Sequence, residues 1–275
     1  MSLDEKYHHL QQLLSQFDSV AIAFSGGVDS TLLLKLACES LGSENVLALT
    51  AVSPIFPAYE VEQSQKLARE FGVRQNLITT DELTLDHFTD NSPQRCYHCK
   101  HHLFGQLLKT IEKSGISTLL DGSNLDDLND YRPGREALKS LKVRSPLLEA
   151  MLTKQDIRDL SRQLGLSTWD KQPFACLATR FPYGTRITAE RLQQVDACEN
   201  WLRQNSFSNY RVRYHGNLAR VEIPAHEIHR LLEEELRQAL VAAFKQNGFD
   251  YITLDLQGYR SGSMNETLPE TKSNH

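Results

Sequence analysis

Ser25-Gly26-Gly27-Val28-Asp29-Ser30 follows directly on the apolar run Val20–Phe24. A strand that turns this tightly into a helix points backbone N–H groups at one oxyanion-sized spot, and the helix N-terminus adds favourable charge. Gly26 and Gly27 keep side chains out of the turn, while Ser25 and Ser30 offer hydroxyl donors. Asp29 suits a Mg²⁺ ion that bridges its carboxylate to pyrophosphate oxygens. The spacing is neither the Walker phosphate loop nor the dinucleotide glycine pattern. A second group is Cys96-Tyr-His-Cys99, joined far downstream by Cys176. Two soft ligands at a predicted helix start, with a remote third thiolate, can hold three irons of a [4Fe–4S] cluster and leave the fourth open. The same residues also fit a redox pair, buried thiols, or a Cys3His zinc site that draws on His98, His101 or His102. Activation by ATP coupled to sulfur or metal chemistry uses both groups.

Further candidates surround these two. Asp121-Gly122-Ser123-Asn124 follows a short apolar stretch, and the carboxyl end of a parallel strand is a natural cleft position. Asp121 could orient a ribose or complete the Mg²⁺ site, and Lys100 could reach a nucleotide phosphate. Asp126, Asp127 and Asp130 read as solvated turn residues. Arg132 and Arg135 can bind phosphate or carboxylate through paired hydrogen bonds, or join a surface ion-pair network. Arg180, Arg211, Arg213 and Arg260 are candidate anion contacts or purely structural charges, and a regular strand puts Arg211 and Arg213 on one face.

The elements that must position these residues alternate. Leu10, Leu13 and Leu14 stripe an opening helix. Strands are predicted over 19–24, 46–52, 73–78 and 118–120, and helices over 30–39, 59–71, 98–112 and 153–164. This alternation favours a parallel α/β sheet. Residues 122–146 are polar and rich in turns, and 169–184 read as an active-site loop in which Pro173 and Pro182 oppose a helix. A domain boundary is expected near Gly184. The later part has a different rhythm. Leu192, Val195, Cys198 and Leu202 mark one helix face, strands are predicted over 210–214, 218–223 and 251–256, and one long helix spans 228–244. The simplest account is an α/β domain over 1–184, a smaller α+β domain over 185–268 for substrate and assembly, and a flexible tail over 269–275.

The 275 residues are 40% hydrophobic and 24% charged, an ordinary globular composition. A formal net charge of −5 argues against a broadly basic nucleic-acid surface. No stretch approaches the about 18 apolar residues of a membrane span. The opening Met-Ser-Leu-Asp-Glu-Lys lacks the pattern of a signal peptide, so a cytoplasmic location is expected. Five cysteines are too few for a disulfide scaffold in a chain of this length. Cys38 and Cys198 fall in helical patterns and read as small core residues.

Ser25-Gly-Gly-Val-Asp29-Ser30 resembles the PP-loop of the ATP pyrophosphatases, which transfer AMP and release pyrophosphate. A larger ordered set resembles the LarE sulfur transferases. It comprises that loop, Asp121-Gly122, Asn129-Asp-Tyr-Arg-Pro-Gly134, Arg180-Phe-Pro-Tyr-Gly184, Arg211-Val-Arg213 and Leu254-Asp-Leu-Gln-Gly-Tyr-Arg260. This resemblance runs from the loop to about Leu268. It implies ATP-dependent adenylylation of a pyridinium dicarboxylate mononucleotide and its conversion to a thiocarboxylate, a step toward the nickel-pincer nucleotide of lactate racemase. Some members give up the sulfur of a single cysteine, and Cys176 stands at the matching position. Cys96 and Cys99 depart from that form and look like the other, in which three cysteines hold a [4Fe–4S] cluster that carries the added sulfur. The resemblance also implies inorganic sulfide or another sulfur donor, and a homo-oligomer built on a trimer, such as a hexamer. It places Arg211, Arg213 and Glu222 near the substrate phosphate at a subunit interface, where Glu222 orients an arginine or binds a divalent cation. A tRNA-thiolating enzyme, an NAD synthetase-like amidation and a non-catalytic iron–sulfur or zinc carrier are the competing functions.

Overall fold

The computed structural model describes residues 1–128, 133–172 and 175–260. The readings of Asp130, Arg132, Pro173 and the tail fall outside these residues. The chain forms two compact units. The first comprises Met1–Phe88 and Pro93–Phe174, and the second Thr89–Ser92 with the chain from Ala175 onward.

The first unit is built on four parallel strands, β1 (Val20–Ala23), β2 (Val46–Val52), β3 (Arg74–Thr79) and β4 (Leu119–Leu120), in the order β3-β2-β1-β4. The parallel α/β sheet read from the alternation is therefore present. Burial of β1 and most of β2 on both faces explains their apolar sequences, interrupted only by Thr50. Around the sheet run α1 (Leu3–Leu14), α2 (Val28–Leu41), α3 (Ala58–Glu70), the short α4 (Asp86–Thr89), α5 (Arg95–Glu112), α6 (Pro133–Ser140), the short α7 (Pro146–Glu149) and α8 (Lys154–Gln163). Leu32, Leu33, Leu34 and Leu36 of α2 are fully buried in a core that also takes Leu10, Leu14, Ile157 and Leu160. A second cluster joins Leu47 and Leu49 of β2 to Phe104, Leu107 and Ile111 of α5 and Leu138 of α6.

Two local readings change. Helix α5 begins at Arg95 instead of His98, which brings Cys96 into its first turn and Cys99 one turn further on. The start carries no side-chain cap, so the sequence offered no N-terminal signal there. The interval read as turns contains α6, whose first residue is Pro133, a favoured opening position because its missing N–H costs no helical bond.

The second unit carries β5 (Arg211–His215), β6 (Leu218–Glu222) and β7 (Tyr251–Leu254). β5 and β6 pair antiparallel, and β6 and β7 pair parallel. The helices are α9 (Ala189–Gln204) and α10 (Glu234–Gln246). This is the small α+β arrangement expected. The single long helix over 228–244 does not form. Ala225–Leu232 is a 3-10 turn, and Glu233 adopts an extended conformation (φ −64°, ψ 129°) before α10 starts. The apolar stripe continues across the break, so periodicity alone hides it. Phe244 is fully buried between Trp201 and Phe249, with ring centroids 6.4 and 6.5 Å away. Phe244→Ala should therefore destabilise the protein by about 3–5 kcal/mol in urea denaturation, and a loss below ~1 kcal/mol would show that this ring is not a keystone of the packing.

Candidate functional site

The strand order turns round at β1: β2 and β3 extend the sheet on one side of it, and β4, later in the chain, joins on the other. A crevice at the carboxyl ends of β1 and β4 follows from that reversal. The 25–30 turn leaves β1 and the 121–124 turn leaves β4, so the topology brings the two motifs together. Gly122 lies so close to the first turn that an added Cβ would stand 3.1 Å from the Ser30 amide nitrogen and 3.2 Å from Asp29 Cβ. Gly26 holds a left-handed φ of 69°, and a Cβ there would press on Ser64 at 3.2 Å. The turn is tied internally: Ser25 Oγ and Ser30 Oγ are 3.2 Å apart, and the Ser30 hydroxyl also lies 3.2 Å from the Gly27 carbonyl. No side chain caps Gly27, so the first amides of α2 are not claimed by a side-chain cap.

Asp29 stands in the first turn of α2. One of its oxygens accepts from Lys154 Nζ at 2.5 Å and the other from Asn124 Nδ2 at 3.3 Å. Asp121 is buried, and its two oxygens accept the hydroxyls of Ser123 and Ser145, each at 2.5 Å. On the other side of the turn, Lys171 Nζ donates to the Gly26 carbonyl at 3.0 Å and to buried Glu60 at 2.6 Å. Arg158 donates to the carbonyls of Trp169 and Lys171 and so fixes the segment that carries this lysine. The stem of Lys100 lies against Gly134 of α6. Arg135 reaches the Asp127 carbonyl at 3.5 Å, near the same acidic turn.

The five cysteines separate by environment. Burial pushes the Cys38 thiol up to about 11 and the Cys198 thiol up to about 12, which keeps both protonated. Cys96, Cys99 and Cys176 are partly exposed, and all five are free of disulfides. Cys96 and Cys99 stand one helical turn apart, with the Arg95 guanidinium 3.8 Å from Cys96 Sγ. They belong to the first unit and Cys176 to the second. The nearby histidines have other partners. His98 stacks on His87, His101 stacks on Tyr97, and His102 Nε2 lies 2.7 Å from Asp81 Oδ1. Among the described residues, no three His, Cys, Asp or Glu side chains are gathered as a single metal ion would require.

Cys176 precedes a 3-10 turn, Leu177–Arg180, whose last residue is the most informative in the second unit. Arg180 is 0% exposed and forms a two-pronged pair with Glu199, both bonds 2.9 Å. Its remaining nitrogen donates to the carbonyls of Ala175 and Cys176 and to Thr179 Oγ1. Burial alone would lower the Arg180 pKa, but Glu199 outweighs it and raises it. Glu199 also accepts the Val212 amide of β5 at 2.9 Å. Arg213 donates to fully buried Glu222 at 2.7 Å and to the Thr179 carbonyl at 3.1 Å. Arg211 packs over Tyr259 and donates to the Tyr210 carbonyl; burial and the neighbouring Arg180 lower its pKa. Arg220 shares Glu222, and Arg260 pairs with Asp255 at 3.5 Å.

Sequence reasoning passed over Lys154, Lys171, Glu60 and Glu199. Glu199 left a signal: it follows Val195 by one helical turn, so it is an acid on the apolar face of α9. Thr153-Lys-Gln-Asp156 is a capping box, which locates Lys154 at a helix start. Lys171 and Glu60 meet only through the tertiary fold.

Residues 5–100 match the NAD synthase family. The chain is 42% identical to an uncharacterised protein of Synechocystis sp., over 97% of this chain and 99% of that protein. It is 39% identical to the pyridinium-3,5-bisthiocarboxylic acid mononucleotide synthase of Lactiplantibacillus plantarum, over 98% of each. It is 30% identical to an uncharacterised protein of Methanocaldococcus jannaschii, over 88% and 91% respectively.

The Arg180–Glu199 pair yields a quantitative expectation. Arg180→Met leaves Glu199 buried without its cation and should cost about 3–5 kcal/mol of folding stability, whereas Arg180→Met with Glu199→Leu should recover most of the loss. Equal losses in the single and double variants, measured by urea denaturation, would show that the arginine matters for packing and not as the partner of a buried charge.

Proposed function

Because the chain belongs to the LarE-type sulfur transferases of the PP-loop ATP pyrophosphatase superfamily, we propose that it adenylylates a carboxylate of a pyridinium dicarboxylate mononucleotide and converts it to a thiocarboxylate. The observation that carries this reading is the near-complete, end-to-end similarity to a synthase whose name specifies such a product. The placement of the two turns at the strand-order reversal supports the nucleotide half.

In the first stage a substrate carboxylate oxygen attacks the α-phosphorus of ATP. The new bond makes an acyl-adenylate, and the broken α–β bridge sends its electron pair out with pyrophosphate. The amides at the start of α2, with the Ser25 and Ser30 hydroxyls, bind the departing phosphates. Asp29 fits a hard cation, since its carboxylate already holds one in the ammonium of Lys154. Mg²⁺ at that carboxylate supplies charge neutralisation for the leaving group. Gly122 keeps the crevice open, and Asp121, anchored by two serines, sets the backbone of the second turn.

In the second stage a sulfur nucleophile adds to the acyl carbon, and AMP leaves with the carbon–oxygen electron pair. Cys96, Cys99 and Cys176 are the proposed cluster ligands: all three are partly exposed, and thiolate is the donor that iron–sulfur centres take. A [4Fe–4S] cluster held by these thiolates would supply the sulfur-transfer chemistry, with inorganic sulfide as the source. Arg180 positions the Cys176 turn through its carbonyl contacts. Arg211, Arg213 and Arg260, with Arg132 and Arg135, are the proposed contacts for substrate phosphate and carboxylate, and Lys100 for nucleotide phosphate. Glu222 orients Arg213 and Arg220. The proposed assembly is a trimer-based homo-oligomer.

Two measurements test the reading. Pyrophosphate release should require Mg²⁺ and the carboxylated pyridinium mononucleotide, and Asp29→Asn should reduce it by about 100-fold or more; release that ignores the pyridinium substrate would reject the assignment. Protein purified without oxygen should carry about four irons and matching acid-labile sulfide per chain. Cys96→Ser, Cys99→Ser and Cys176→Ser should each lose the cluster spectrum. Zinc or no metal in an intact anaerobic sample, with loss of one sulfur from Cys176 after turnover, would replace the cluster with sacrificial-cysteine chemistry.

A further inference from the structure

We infer that Lys154 is an exchangeable counter-ion for Asp29: its ammonium holds the carboxylate in the nucleotide-free protein and passes to the triphosphate oxygens when Mg²⁺ takes that carboxylate. This rests on the Mg·ATP reading above and adds a residue to it. The backbone of Lys154 is pinned. Thr153 and Asp156 close a capping box around it, Lys6 holds Asp156 at 2.6 Å, and the Lys154 amide donates to Asp126 at 2.8 Å. The side chain therefore acts from a fixed root, while its four-carbon stem lets the ammonium move. Its tip reaches Asp29 Oδ2 at 2.5 Å, with the two side chains 29% and 24% exposed.

The placement runs against local electrostatics. Lys154 is the first residue of α8, and its tip meets Asp29 in the first turn of α2. Both positions lie at the positive ends of helix dipoles, where a cation is disfavoured. An anion must offset that cost. Asp29 alone does so in the empty protein, but Mg²⁺ on Asp29 would repel the ammonium from the same oxygen. The triphosphate then arrives at the same helix start with a larger negative charge. The second lysine beside the turn is committed elsewhere, to Glu60 and the Gly26 carbonyl. Lys154 is thus the cation whose partner is itself an expected metal ligand.

The exchange makes an unusual demand, because removing one lysine should move two affinities in opposite directions. In Lys154→Met, Mn²⁺ alone, followed by electron paramagnetic resonance on the full chain, should bind more tightly by about threefold to tenfold, since its competitor is gone. The Mg²⁺ complex of an ATP analogue with a methylene α–β bridge, followed by calorimetry, should bind about tenfold or more weakly. Lys154→Arg should keep both affinities within about threefold of the wild type. If Lys154→Met does not fold, Lys154→Gln carries the same test. A variant that weakens both ligands, or changes neither, overturns the exchange while leaving the Mg·ATP reading intact if the wild type binds the analogue. A wild type that fails to bind the analogue overturns both.

Discussion

The close approach of two turns governs this structure. The β4 turn lies against the β1–α2 turn so closely that a Cβ at Gly122 would crowd its neighbours, and a backbone amide at 3.1 Å is the nearest obstacle. A backbone atom cannot rotate away as a flexible side chain can, so the constraint is strict. It follows from strand order: β4 joins the sheet on the opposite side of β1 from β2, and the two strand ends must share one crevice. Ser25, Ser30, Asp29 and Asn124 are brought together by that single topological fact. Asn124 reaches Asp29 across this junction, and Lys154 reaches it from α8.

Much of this was legible from residue types. The glycine pair after Val20–Phe24 announced the turn, and the alternation of apolar runs gave a parallel sheet. Glu233 was hidden because the apolar period runs through it unbroken, and period reports which face is buried, not whether the backbone is continuous. Helix α6 was hidden in a polar stretch whose helical state depends on packing Leu138 against α5. Ion pairs such as Lys171–Glu60 join residues far apart in the chain, and only the fold selects one acid among many for one lysine.

The thiols show how environment divides one chemical type into two populations. Cys38 and Cys198 lie where a thiolate would lose its hydration, and their raised pKa values make them poor nucleophiles and poor soft-metal ligands. Cys96 instead lies in the first turn of α5, with the Arg95 guanidinium 3.8 Å from its sulfur. The Cys176 turn is held by main-chain contacts from Arg180, so its placement does not depend on the sulfur itself.

Those contacts have a consequence for the order in which the protein is made. The strands and helices around the nucleotide turn are complete by Gln163, before Cys176 is added. The turn that follows Cys176 is fixed by Glu199 of α9, and Glu199 in turn is held by the Val212 amide of β5. A chain emerging from the ribosome can therefore close the first sheet while the Cys176 turn is still unanchored, since domains fold as units from the N-terminus. The anchor of the Cys176 turn thus arrives after the first sheet, and the gap between them is the time needed to synthesise one helix and one strand.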